Sequence, residues 1–146
     1  MYIIIFLFAF IFLALNYLLI VRPVILIKSS GIDMGLPEFF KFQSKQMPVI
    51  RLLQISAKFK KYGIQLLWSD INLFYQSAKI ETQTNPVKFQ KPPEELLNDV
   101  LEVLNLVKEQ GYEMSFQNVS LQILAGKNPR EIVSSFVHTM WHGTKT

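Results

Sequence analysis

The sequence predicts an all-α chain in which one amino-terminal transmembrane helix leads into a small helical bundle built from two helix–glycine–helix repeats. Three observations predict it. Residues 2–21, YIIIFLFAFIFLALNYLLIV, carry no charge. Twenty helical residues span about 30 Å, the hydrocarbon thickness of a bilayer. Downstream, apolar residues recur at helical spacing, and no useful run of period-two alternation argues for a sheet. Finally, KKYGIQLLWSDINLFYQSAK (60–79) and KEQGYEMSFQNVSLQILAGK (108–127) align at a spacing of 48, which matches Lys60 with Lys108, Gly63 with Gly111, Leu73 with Leu121 and Lys79 with Lys127.

The anchor is placed at residues 1–27. A buried core helix of its length carries a polar stripe, and this one has none. A cleavable signal peptide needs a basic start, a shorter apolar core and a small-residue cleavage site. No Lys or Arg precedes the apolar run and no A-x-A pattern closes it, so an uncleaved span is expected. Tyr2 and Tyr17 stand near its two ends, where amphipathic rings sit in the interface, although Tyr17 also suits packing within the span. Asn16 is its one strongly polar side chain, suited to a neighbouring helix or simply tolerated near the span's end.

Charge sets the orientation. Arg22, Lys28, Lys41, Lys45, Arg51, Lys58, Lys60 and Lys61 face only Asp33 and Glu38, so residues 22–61 are net +6, while residues 62–146 are net −2. Basic flanks stay cytoplasmic, which puts the amino end outside and the body inside a bacterial plasma membrane. The eight cations form a collar expected to face anionic lipid head groups, each near charge contributing about 1 kcal/mol. The same charge suits RNA or DNA, yet only Phe42, Phe59 and the Phe39–Phe40 pair stand among it as stacking groups, and no groove-reading or single-strand motif appears. The chain has no cysteine, which excludes disulfides and thiolate metal sites.

Residues 28–46 read as a membrane-surface linker. Pro23 is suited to kink the helix at the interface, and VILI (24–27) either prolongs the span or lies among the head groups. Gly31, Gly35 and Pro37 punctuate a loop or very short helices. Phe39, Phe40 and Phe42 fit the interface and a core equally well.

Residues 47–146 form the expected cytoplasmic domain, with repeat units at about 47–79 and 93–127 and a last helix at about 129–141. In the first unit Pro48 opens a helix over 47–62, with Ile50, Leu53 or Leu52, Ala57 and Phe59 as its apolar stripe. Its last turn is basic and Gly63 caps it. A short helix at about 67–77 turns Ile71, Phe74 and Tyr75 inward, and 80–93 is a proline-rich loop. In the second unit Pro92 or Pro93 opens a helix with Glu94 and Glu95 in its first turn. Its apolar face is Leu97, Val100, Leu101, Leu104 and Val107, and Gly111 is its cap. Ser115 is the N-cap of the next helix and Gly126 its terminator. Asn128, Pro129 and Glu131 then make a capping-box start with Asn in the Ser/Thr place. Neither unit alone buries both its apolar faces, so the two are expected to pack together.

The text SSGIDMGL, the Pro48 helix ending in a basic turn and glycine, and GYEMSFQNVSLQILAGKNPREIVSSF resemble the amino-terminal part of the bacterial flotillin-like FloA proteins. The family's second unit ends in DLAGR(D/N)…EAV, and its counterpart here is Leu124, Ala125, Gly126, Lys127, Asn128, then Glu131, Ile132 and Val133. The resemblance covers most of residues 24–137. Phe74–Lys79 lacks the glycines of the family's HYLAGG, and TQTNPVKFQKPPEE is longer than the family's link between units. The chain stops at Thr146, before the β-rich stomatin/prohibitin/flotillin-type domain and coiled coil associated with ring or cage assembly. The resemblance therefore implies a membrane-anchored, non-enzymatic scaffold element working inside another complex.

Chemistry finds little purchase. His138 and His142 are four apart and Glu131 lies seven before His138, a helix face that suits a weak metal site. HTMWH nevertheless places Thr139 where a metalloprotease has its glutamate, so no metal is expected. Asp70, Glu94, Glu95 and Asp99 have no acid–base spacing. Ser134 and Ser135 lack a nucleophile elbow, and neither Gly31/Gly35 nor AGK at 125–127 completes a phosphate loop. No catalytic residue and no cofactor is expected. Trp68, Phe74, Tyr75 and Trp141 are the candidate contacts to protein partners, with core packing as the competing role for both tryptophans. The function expected is scaffold or adaptor work within a larger membrane assembly. The alternative is a membrane accessory contacting RNA, the ribosome or the translocon through its basic juxtamembrane region.

Overall fold

The structure, a computed structural model, describes residues 2–143; the side chains of Tyr2 and His142 lie outside the described residues. Every regular element among the described residues is helical: α1 Tyr2–Asn16, a π-helical segment Tyr17–Val21, α2 Arg22–Ser30, α3 Leu36–Ser44, α4 Val49–Lys61, α5 Trp68–Thr84, α6 Leu96–Glu109, α7 Phe116–Leu124 and α8 Pro129–Gly143. The chain divides into two compact units, Met1–Trp68 and Ser69–Thr146. The division falls inside the stretch that reads in sequence as the first repeat.

In the first unit α1, the π segment and α2 form one uninterrupted helix. Pro23 explains the π segment. It has no N–H to give the carbonyl four residues back, and its ring crowds that carbonyl. Widening the preceding turn relieves the clash, and the Arg22 N–H accordingly bonds to the Tyr17 carbonyl, five residues back. VILI thus prolongs the helix, which stops only at Gly31, where φ is +73°. From Pro23 onward one face, Pro23, Ile27 and Ser30, is buried, and α2 packs along α4. The buried Ser30 hydroxyl is satisfied by donating to the Ile27 carbonyl at 2.7 Å, and it accepts from Ile32 N–H at 3.2 Å.

The linker is more ordered than a membrane-surface loop. Ile32, Met34 and Met47 are buried, and α3 touches both α2 and α4. Glu38 accepts from the Gly35 N–H at the start of α3. The Val49 N–H bonds to the Met47 carbonyl at 2.8 Å around Pro48 (φ −76°, ψ 58°), an inverse γ-turn that aims the chain into α4. The stripe of α4 differs from the expected one. Val49, Leu52, Leu53, Ile55, Ser56 and Phe59 are buried, whereas Ile50 and Ala57 are only half-buried. Ser56 interrupts the apolar pattern in sequence. In the helix its hydroxyl donates to the Leu52 carbonyl at 2.8 Å, so it packs as a small residue with no unmet hydrogen bond.

In the second unit α6 packs on α7 and α8. Leu97, Val100, Leu101, Leu104 and Val107 are buried as expected, joined by Leu96 and Val103. The helix begins later than its prolines suggest. Pro92 accepts from Glu95 N–H in a preceding turn, and regular helix starts at Leu96, with Glu95 as its cap residue. α5 does turn Ile71, Phe74 and Tyr75 inward, with Ala78, but it runs to Thr84 and not to residue 77. At a spacing of 48, Ala78 stands where Gly126 ends α7. Alanine is the best helix former and stops nothing. The helix continues until Pro86 restricts Asn85, and the Thr82 and Thr84 hydroxyls bond back to the Lys79 and Ile80 carbonyls.

The caps are as the sequence places them. Ser115 accepts from Asn118 N–H at 3.2 Å. Asn128 accepts from Glu131 N–H at 3.1 Å while Glu131 accepts from Asn128 N–H at 3.4 Å, with Pro129 opening the helix. Gly63 and Gly111 have φ of 71° and 81°. Each donates to a lysine carbonyl three residues back, Lys60 and Lys108. The next N–H, of Ile64 and Tyr112, bonds five residues back, to Phe59 and Val107. That is the Schellman pattern, which needs a left-handed residue. A Cβ at Gly111 meets nothing within 4 Å, so Gly111→Ala should cost only the backbone term, about 1 kcal/mol, read as a lowered denaturation midpoint. Gly126→Ala should cost more, because Lys88 lies over that glycine.

Candidate membrane interface

Residues Ile3–Ser30 form a helix long and apolar enough to cross a membrane, with a mean hydropathy of 2.9 in its most apolar stretch. Its distinguishing property is exposure. Phe6, Leu13 and Leu18 are 78%, 68% and 51% exposed, and large apolar side chains stand exposed all round from Ile3 to Val21. A core helix of this composition is covered by its own protein, and this one is not. Leaving so much contiguous apolar surface to water is strongly unfavourable. Asn16 does not await a neighbour for its amide group. Its Nδ2 donates to the Phe12 carbonyl at 2.8 Å within the same helix.

The basic collar is exposed at all eight positions, Arg22, Lys28, Lys41, Lys45, Arg51, Lys58, Lys60 and Lys61, but its members are not equivalent. Arg22 follows the last fully exposed apolar residue directly. Lys28 lies seven residues beyond Val21, about 10 Å along the axis, past a head-group layer of about 5–7 Å. Lys60, at the end of α4, belongs to this same level, since its Nζ donates to the Lys28 carbonyl at 3.3 Å. The carboxyl ends of α2 and α4 therefore meet, and Ser30, Gly31, Lys60, Gly63, Ile64 and Gln65 line a cleft there. Lysines at that junction also offset two negative helix ends. The phenylalanines of the linker separate: Phe39 is buried, Phe40 is exposed, and Phe42 is half-buried with its ring 5.2 Å from that of Trp68.

Of the candidate partner contacts, Phe74 and Tyr75 are buried, and Phe74 packs its ring 6.1 Å from Phe116. They present no face to a partner, so core packing is their role: helical spacing placed them inward, and an inward ring has no surface left to offer. Trp68 is half-buried, and its indole N–H has no protein acceptor among the described residues. Trp141 is 66% exposed. Burial, and secondarily the charge of Glu94, pushes the Tyr75 hydroxyl above its ordinary value of 10.0. The unfolded chain then loses this proton first, so the stabilising contribution is complete below pH 10 and falls away as pH rises through the higher folded value. Tyr75→Phe should flatten that part of the alkaline decline, measured by denaturant titration at pH 8 and pH 11.

The sequence gave no cue to the ion pair of the second unit, because its partners are eight apart across a turn. Lys91 Nζ lies 2.6 Å from Asp99 Oδ1, tying the proline-rich loop to α6. Asp99 is mostly buried while Lys91 is exposed, so the pair contributes about 1 kcal/mol. Among the described residues no three His, Cys, Asp or Glu side chains are grouped to hold a metal ion; the His142 side chain lies outside them. No family model matches this chain, and no curated protein or solved structure matches it.

Proposed function

We propose that the chain is a single-pass membrane anchor joined to a helical adaptor body, a non-enzymatic subunit of a larger membrane assembly, with its amino end outside and its body in the cytoplasm. The observation that carries this reading is the continuous helix whose surface changes character at Pro23. Before it, apolar side chains are exposed all round; after it, Pro23, Ile27 and Ser30 are buried and α2 packs on α4. A flexible tether only localises a body, whereas an unbroken helix fixes its attitude to the bilayer, which suits a part that must meet other membrane proteins in register. The charge difference across the span supports the orientation. The matching turns at Gly63 and Gly111 support a duplicated helix–glycine–helix plan, and the short motifs shared with the flotillin-like proteins fit the same scaffold role.

The chain has no cysteine, so single substitutions give clean topology markers. Glu102→Cys should resist a membrane-impermeant maleimide in intact spheroplasts and react after lysis, and Tyr2→Cys should react in both. Gentle detergent extraction should then recover the protein with partner proteins at near-equal amounts. Recovery as a lone monomer counts against the adaptor, and recovery with ribosomal RNA that salt removes points to the basic region as a nucleic-acid contact.

A further inference from the structure

We infer that Lys60 is a strap that fastens the carboxyl end of the anchor-bearing helix to the body, and not a lipid-facing cation. Three features of the first unit converge on it. The Lys60 Nζ donates to the Lys28 carbonyl at 3.3 Å, a bond across thirty-two residues. That carbonyl lies in the last turn of α2, where carbonyls have no helical donor of their own, save the long 3.4 Å bond from Gly31 N–H. The lysine stem then lies directly over Gly31: a Cβ built there falls 2.8 Å from Lys60 Cδ. Gly31 thus does two things, turning the chain at φ +73° and leaving room for the stem. The ammonium also sits at the negative end of α2, where a cation is favourable.

The consequence is mechanical. α2 is the only part of the long helix that is packed on the body, and its nine residues end at this strap. Releasing it frees the last turn of α2 and loosens the grip of the body on the span. Lys61, the next residue on α4, is exposed and serves as a charge-matched control.

The test is hydrogen exchange on the full chain in nanodiscs of phosphatidylcholine, with and without phosphatidylglycerol, following the peptide that covers residues 27–34. Lys60→Ala and Lys60→Met should speed its exchange about fivefold, Lys60→Arg should restore protection, and Lys61→Ala should leave it unchanged. The pattern should be the same in both lipid compositions. Protection retained in Lys60→Met overturns the hydrogen-bonded strap, leaving only stem packing. Equal effects of the Lys60 and Lys61 substitutions, present only with phosphatidylglycerol, overturn it in favour of a lipid contact. Both outcomes are independent of whether the body serves as an adaptor.

Discussion

Replacing Ile11 and Phe12 together with arginine is expected to remove the protein from the membrane fraction. Both side chains are exposed at the middle of the apolar segment. A central arginine costs about 2.5–3.5 kcal/mol on the insertion scale, and each lost apolar residue forfeits about 0.5, so the pair costs about 7 kcal/mol. The seventeen or so apolar residues of the segment supply a gain of similar size, about 8 kcal/mol on the same scale. One arginine should therefore be tolerated and two should not. The measurement is carbonate extraction: Phe12→Arg stays in the pellet, and the double variant moves to the supernatant or is degraded. Retention of the double variant in the carbonate pellet would sink the spanning assignment.

Phe59→Ala is expected to destabilise the first unit by about 3–5 kcal/mol. Phe59 is fully buried near the end of α4, one residue before the strap. Domains of this kind are stable by only about 5–15 kcal/mol in total, so the loss is a large share. Phe40→Ala removes an exposed ring from the same unit and should cost under about 0.5 kcal/mol. Trp68 stands against Phe42 in this unit, so indole fluorescence during denaturant titration in detergent reads the difference, with Trp141→Phe as background. Equal effects of the two substitutions would contradict the burial assigned to α4.

Local features were the most legible. The Ser115 cap, the Asn128–Glu131 box and the left-handed glycines depend on neighbours within a few residues, and hydrogen bonds of that range are written into the text itself. The apolar face of α6 was legible for the same reason, since no polar residue breaks its period. The face of α4 was not, because a serine that satisfies itself on its own helix looks polar in sequence and packs as apolar. The end of α5 was misplaced because residues 79–84 carry no apolar period, and nothing but Pro86 stops the helix there.

The candidate site divides in the same way. Charge, length and apolarity of residues 2–21 follow from composition alone, so the sequence by itself determined that a bare apolar helix precedes a basic segment and a helical body. Which cations remain at the bilayer, which aromatics turn inward and where the anchor becomes core were decided by the tertiary structure. Each depends on a neighbour distant in sequence: α4 covers one face of α2, Phe116 packs on Phe74, and the Lys28 carbonyl takes the Lys60 ammonium. Burial and pairing are properties of two segments at once, and a single segment's pattern carries only half of each.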